Sequence, residues 1–150
     1  MKKIVVSFGT RPEIIKLAPV IHELERSAKF DVVKLHTGQH GELAENMLNL
    51  FEIVPDHDFK SMSSASDLFE LTEFLLPKLK EFYSAVKPDA VIVVADRYEN
   101  LAVATSASYL NIPLIHIQGG EVTGSIDEKV RHSITKLSDI HFVATKRSRD

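Results

Sequence analysis

Cysteine is absent from this chain of 150 residues, which excludes structural disulfides, thiolate metal sites and a cysteine nucleophile and is compatible with a reducing cytoplasm. No apolar run approaches the ~20 residues needed to span a bilayer. The opening MKKIVVSFG has an apolar stretch from Ile4 to Phe8 that is interrupted by Ser7 and stops at Gly9, short of the roughly 7–15 residues of a secretory signal. It reads as a first strand, and a soluble cytoplasmic protein with no membrane partner is expected. An excess of one charge is also missing: 18 basic and 21 acidic residues give a net charge of −3. The single dense basic run, Lys146–Arg147 with Arg149, lies at the C-terminus, so a nucleic-acid partner is disfavoured.

What the chain does have is enough apolar material, 44% of residues against 26% charged, to bury roughly 68–70% of its extended surface. One domain is expected, and two full domains are excluded.

Hydrophobic periodicity orders the elements. Lys3 to Phe8 is a strand ending at Gly9, and Ile14, Leu17, Ala18, Ile21 and Leu24 follow at helical spacing. Thr10 and Glu13 have capping-box spacing and Pro12 suits a first turn, so that helix starts near Arg11. Asp31 to His36 is a second strand, followed by the turn Thr37 to Gly41 and a helix over Glu42 to Leu50. The serine-containing stretch from Asp56 to Ala65 is a loop with a short strand near His57 to Lys60. Leu68, Leu71, Leu75, Leu79, Phe82 and Val86 line a long helix that contains Pro77 and ends at Lys87-Pro88-Asp89. Ala90 to Val94 and Pro113 to Ile117 have the nearly all-apolar character of central parallel strands, with a further strand over Ile140 to Ala144. The helix between the first two, Arg97 to Leu110, carries Ala102, Ala104, Ser106, Ala107 and Ser108, which permit close packing. This alternation predicts an α/β fold: a Rossmann-like, three-layer α/β/α arrangement around a parallel sheet, with ligands bound beyond the carboxyl ends of the strands.

Polar segments follow four of the strands: GTRPE at Gly9 to Glu13, TGQH at Thr37 to His40, DRYE at Asp96 to Glu99, and QGGE at Gln118 to Glu121 running on to Asp127 and Arg131. Helices starting at Thr10, Asp96 and Ser125 direct unpaired amides to the same edge, which suits an anionic ligand such as a diphosphate. Capping explains Glu13, Glu99 and Glu128 equally simply. Asp96 and Asp127 at helix starts suit bases or hydroxyl acceptors better than acids. Arg11, Lys16 and Arg131 could each be solvated helix charges, and it is their convergence on one edge that marks them. His132 beside Arg131 is a further candidate, whereas His116 in a buried strand fits a satisfied core imidazole and His57 a surface loop. The histidines show no HExxH or other familiar ligand spacing, so no metal and no cofactor is expected. GTRPE is neither a Walker loop nor GxGxxG, no GxSxG elbow occurs, and no acidic pair follows the first strand.

At these residues the sequence resembles the UDP-N-acetylglucosamine 2-epimerase family over essentially its whole length. FGTRPEIIKLAPVI, TGQH and LFEIVPDHDF are similar to the non-hydrolysing branch, which interconverts the UDP-sugars of N-acetylglucosamine and N-acetylmannosamine. ADRYENLAVATSA and HIQGGEVTGSIDEKVRHSITKLSDIHF resemble the hydrolysing branch, which releases UDP and a free amino sugar for sialic-acid-like or surface polysaccharide synthesis. The second motif is weighted more heavily because it carries more of the chemistry.

The resemblance implies the N-terminal domain of a GT-B enzyme, with a second, UDP-binding domain not encoded here and the active site in the cleft between them. It implies a UDP-sugar substrate, a homodimer, and little activity for these 150 residues alone. Carried over by motif, Asp96, Gln118 and Asp127 match acidic active-site positions, with Glu121 in the same motif. Arg11, Lys16, Arg97, Arg131 and His132 match substrate-side positions. Ala95 stands where the family usually has glycine, and Gln118 where many members have glutamate, which cannot be replaced as a proton carrier by an amide. The implied route is anti elimination of UDP to a 2-acetamidoglucal, followed by addition of water or UDP. A different GT-B half, such as part of a glycosyltransferase, and a non-catalytic sugar-nucleotide-binding module are the alternatives.

Overall fold

A computed structural model describes residues 1–38, 41–60 and 65–149. The turn residues Gln39 and His40 of TGQH, and Ser61, Ser63 and Ser64 of the expected loop, lie outside the described residues. The elements run β1 (Lys2–Phe8), α1 (Arg11–Arg26), β2 (Phe30–His36), α2 (Glu42–Leu50), β3 (His57–Asp58), α3 (Leu68–Val86), β4 (Ala90–Val94), α4 (Tyr98–Tyr109), β5 (Leu114–Ile117), α5 (Ile126–Leu137), β6 (Ile140–Phe142) and α6 (Lys146–Arg149).

Among the described residues the six strands are all parallel, in the order β3-β2-β1-β4-β5-β6. The chain steps outward from β1 to β3, then crosses back through α3 to lay β4 on the other side of β1. The switch point of this doubly wound sheet therefore lies between β1 and β4, where ligands of such folds bind beyond the strand ends.

Side-chain alternation along the strands builds two cores. Ile4, Val6 and Phe8 of β1, with Ala90, Ile92 and Val94 of β4, face Ile14, Leu17, Ala18 and Ile21 of α1. Val5 of β1, with Val91 and Val93 of β4, face α3, α4 and α5, including Leu75, Leu79, Val103 and Ile134. Both faces of β1 and β4 are covered, which is why β4 is apolar throughout and the apolar run of β1 is interrupted only by Ser7. The small residues of α4 do what their size allows: Ala102, Ala104 and Ala107 are buried between α3 and α5.

Several boundaries differ from the sequence reading. The last strand stops at Phe142, and its residues are exposed because β6 is the sheet edge. Leu68 starts the long helix on its exposed side rather than on the apolar face. The short strand expected near His57 to Lys60 is present but stops at Asp58, so His57 lies in β3 rather than in the surface loop, and its ring meets Phe82 edge-on at 4.9 Å.

Candidate functional site

The helix starts place the charged groups. Thr10 is the N-cap of α1 and forms the expected capping box with Glu13. One Glu13 oxygen accepts from the Gly9 amide at 2.9 Å, the Thr10 amide at 2.7 Å and the Thr10 hydroxyl at 2.9 Å. Its other oxygen accepts from the Asn100 side-chain amide at 2.6 Å, and the same Asn100 nitrogen donates to the Val94 carbonyl at 2.7 Å. Burial raises the Glu13 pKa against the opposing pull of these donors. This carboxylate thus caps its own helix and also joins the β1–α1 and β4–α4 turns across the switch point.

Asp96 is not the cap of α4. Arg97 holds that position, because Ala95 adopts a left-handed conformation at φ 59° and carries Asp96 one residue out of the helix. Freed from capping, the Asp96 carboxylate pairs with Arg131 from α5. Arg131 is buried and also donates to the Glu121 carbonyl at 2.6 Å. A buried guanidinium requires such a counter-charge, so the pair fixes both the β4–α4 turn and the loop after β5. Gln118, itself left-handed at φ 61°, donates from Nε2 to Glu121 Oε2 at 3.4 Å. Asp96, Arg131, Glu121 and Gln118 are therefore one connected group at the carboxyl edge of β4 and β5.

The remaining candidates stand around that group. Asp127 lies in the first turn of α5, exposed and without a partner among the described residues, one turn before Arg131. Arg11 and Lys16 are exposed on the opening turns of α1 beside the switch point, and among the described residues no hydrogen bond or ion pair joins them to the Asp96 group. Arg97 approaches Glu99 at 3.4 Å, with the Glu99 carboxylate almost wholly buried. His132 turns to Glu128 at 3.4 Å rather than toward Asp96. Ser125 is the N-cap of α5 as expected, but Glu128 reaches past it to the amides of Thr123 and Gly124, which hold its pKa below the usual carboxylate range. Among the described residues, no group of three or more His, Asp or Glu side chains is placed to hold a metal ion.

Two supporting residues escape a reading by motif. Asn100 sits in what looks like an ordinary small-residue helix, and its signal is only that asparagine is a poor choice there. His116 is the satisfied core imidazole that its strand position implies, but its partners, the Ala95 carbonyl and Thr135, come from segments that no local pattern connects.

This arrangement offers free and paired carboxylates and a buried guanidinium beside the start of α5, and exposed cations on the opening turns of α1. It suits an anionic, polyhydroxylated ligand on which protons must move. The chain matches the family model described as UDP-N-acetylglucosamine 2-epimerase over residues 22–150. It is 38% identical to the UDP-N-acetylglucosamine 2-epimerase of Salmonella typhimurium, over 98% of this chain and 40% of that protein. Among solved structures it is similar to a UDP-GlcNAc 2-epimerase from Neisseria meningitidis bound to UDP-GlcNAc, with a TM-score of 0.93 and 36% identity, covering 98% of this chain and 41% of the other. A Methanocaldococcus jannaschii UDP-GlcNAc 2-epimerase in complex with UDP-GlcNAc and UDP gives a TM-score of 0.90 at 28% identity, over 99% and 42% of the two chains. The chain thus spans about 40% of the length of the curated relatives it matches. Among the described residues, no helix is long and apolar enough to cross a membrane.

Proposed function

This chain belongs to the UDP-N-acetylglucosamine 2-epimerase family, and from that premise we propose that it forms the proton-transferring wall of a UDP-sugar 2-epimerase. The opposite wall is a second Rossmann-like domain that binds UDP. The observation that carries this reading is the grouping of Asp96, Gln118, Glu121 and Arg131 at one sheet edge, with Asp127, unpartnered among the described residues, one helical turn before Arg131.

Inversion at C2 requires a proton to leave one face of the sugar and another to arrive on the opposite face, so two proton carriers are needed. Asp127 and Glu121 fill these roles. Asp127 is free to approach substrate, and Glu121 is oriented by Gln118, which supplies a hydrogen bond where an acid would supply a proton. Asp96, held by Arg131, accepts a hydrogen bond from a sugar hydroxyl. As the C2 proton leaves, the electron pair forms the C1–C2 double bond and the C1–oxygen bond to the diphosphate breaks. Arg11, Lys16 and the α1 amides stabilise the charge on the departing UDP, while Arg97 and His132 stand on the substrate side.

The motif from His116 to Phe142 supports the hydrolysing outcome: water adds its hydroxyl to C1 and the second carrier protonates C2, giving a free N-acetylmannosamine-type sugar. Re-addition of UDP at C1 gives the non-hydrolysing alternative, supported by the motifs of α1 and β1. Phosphorus NMR distinguishes them when this domain, joined to the remaining part of a full-length relative, is supplied with UDP-GlcNAc. Free UDP accumulating with product supports hydrolysis, and a UDP-linked product at constant total nucleotide sugar contradicts it. The 150 residues alone are expected to be inactive, and the joined enzyme to be a homodimer working in the cytoplasm.

A further inference from the structure

We propose that His116 is a positioning residue whose imidazole, fixed in one tautomer, holds the turn carrying Asp96 against the loop after β5 and against α5. The proposal deepens the reading of Asp96 and Arg131 as site residues and rests on it.

The tautomer follows from the partners. His116 Nε2 lies 2.8 Å from the Ala95 carbonyl oxygen, which can only accept, so Nε2 carries the proton. Nδ1 is then the acceptor, and the hydroxyl of Thr135 donates to it at 3.1 Å. The ring is fully buried, and burial lowers its affinity for a second proton, which keeps the imidazole neutral.

The three segments it meets are those that build the site. Ala95 directly precedes Asp96, and its amide donates to the Ile117 carbonyl at 2.9 Å. Both backbone polar groups of this left-handed residue are therefore held by β5, one by main chain and one by the His116 ring. Thr135 lies one helical turn beyond Arg131 on α5. Gly119, next to Gln118, packs against the same ring: a Cβ there would stand 2.7 Å from His116 Nδ1 and 2.8 Å from the Thr135 hydroxyl. The imidazole is thus the common floor under Asp96, Gln118 and Arg131. Without it the strained Ala95 turn loses its carbonyl anchor and the direction of the Asp96 carboxylate is no longer set.

Nitrogen-15 NMR of histidine-labelled chain reads the tautomer directly, and arginine-labelled chain reads the Asp96–Arg131 pair through the slowly rotating Nη–H groups of Arg131. The expected result is an Nε2–H tautomer for His116 in the unmodified chain. Thr135→Val is expected to abolish the resolved signal of the Arg131 Nη2–H that meets Asp96 in a folded chain, while the Nη1–H held by the Glu121 carbonyl stays resolved, and Thr135→Ser to retain both. An Nδ1–H tautomer overturns the proposal without any variant. So do Arg131 signals unchanged in folded Thr135→Val. Neither readout needs turnover: a confirmed tautomer and coupled pair in an enzyme that leaves the C2 hydrogen untouched would remove the catalytic reading and leave the positioning geometry standing.

Discussion

The Asn100 side-chain amide and the Glu13 carboxylate, 87 positions apart in sequence, meet at 2.6 Å with both side chains buried. Their contact bridges the two turns that flank the switch point, so the position of α1 relative to α4 is set by a polar bond rather than by apolar packing alone.

Replacing that amide by a second carboxylate tests the bridge. Asn100→Asp places two buried acids in contact, and stability at pH 7 should fall by about 3–5 kcal/mol. At pH 5 the loss should shrink, because the pair can then share a proton. Urea unfolding at the two pH values checks this, and an equal loss at both would show that Glu13 and Asn100 do not face each other.

Ala95 is the position where the family usually carries glycine, and the reason is visible in its φ of 59°. A left-handed residue with a Cβ costs about 1–2 kcal/mol, partly offset in Ala95→Gly by the added freedom of the unfolded chain. The net expectation is a gain of about 0.5–1 kcal/mol in urea unfolding, and a loss of stability would contradict the backbone assignment.

His116 predicts a slope of stability with pH. Its pKa is lowered in the fold, first by burial and then by the charges of His141 and Arg131, against the pull of Asp96 and the Ala95 bond. The unfolded chain takes up a proton near the ordinary value of about 6.5, whereas the folded chain resists it. The stability contributed is therefore present above that value and lost as pH falls below it. His116→Gln should flatten the decline in unfolding free energy between pH 7 and pH 5, and an unchanged slope would contradict a neutral buried ring.

Gln118→Glu sets a second carboxylate at the 3.4 Å contact that Glu121 now makes with an amide. Like charges at that distance raise the pKa of one partner. In the joined enzyme the acid limb of the kcat profile should move upward by about one pH unit, and an unmoved limb would remove Glu121 from proton transfer.

Much of this was legible beforehand because it is local. The α1 start follows from Thr10, Pro12 and Glu13, and the central strands follow from nearly all-apolar runs of the kind a doubly covered parallel sheet accommodates. Asp96, Gln118, Glu121 and Arg131 could be nominated from their places after strands. What local pattern could not supply was pairing. Asp96 looks like an N-cap with Glu99 at third position until the left-handed turn at Ala95 moves it out of the helix and toward Arg131. Glu13 looks complete as a cap until Asn100 arrives from α4. His132, adjacent in sequence to Arg131, turns away to Glu128 because neighbouring residues on a helix point about 100° apart.

The central claim is that this wall moves protons at C2 of a UDP-sugar. Turnover of UDP-GlcNAc in deuterium oxide by the joined enzyme, with the product read by proton NMR, tests it most directly. One solvent deuterium at C2 of the product, with its formation abolished by Asp127→Asn in an enzyme that still binds UDP, is the predicted result. Product that keeps its original hydrogen at C2, or normal deuterium incorporation by Asp127→Asn, would contradict it.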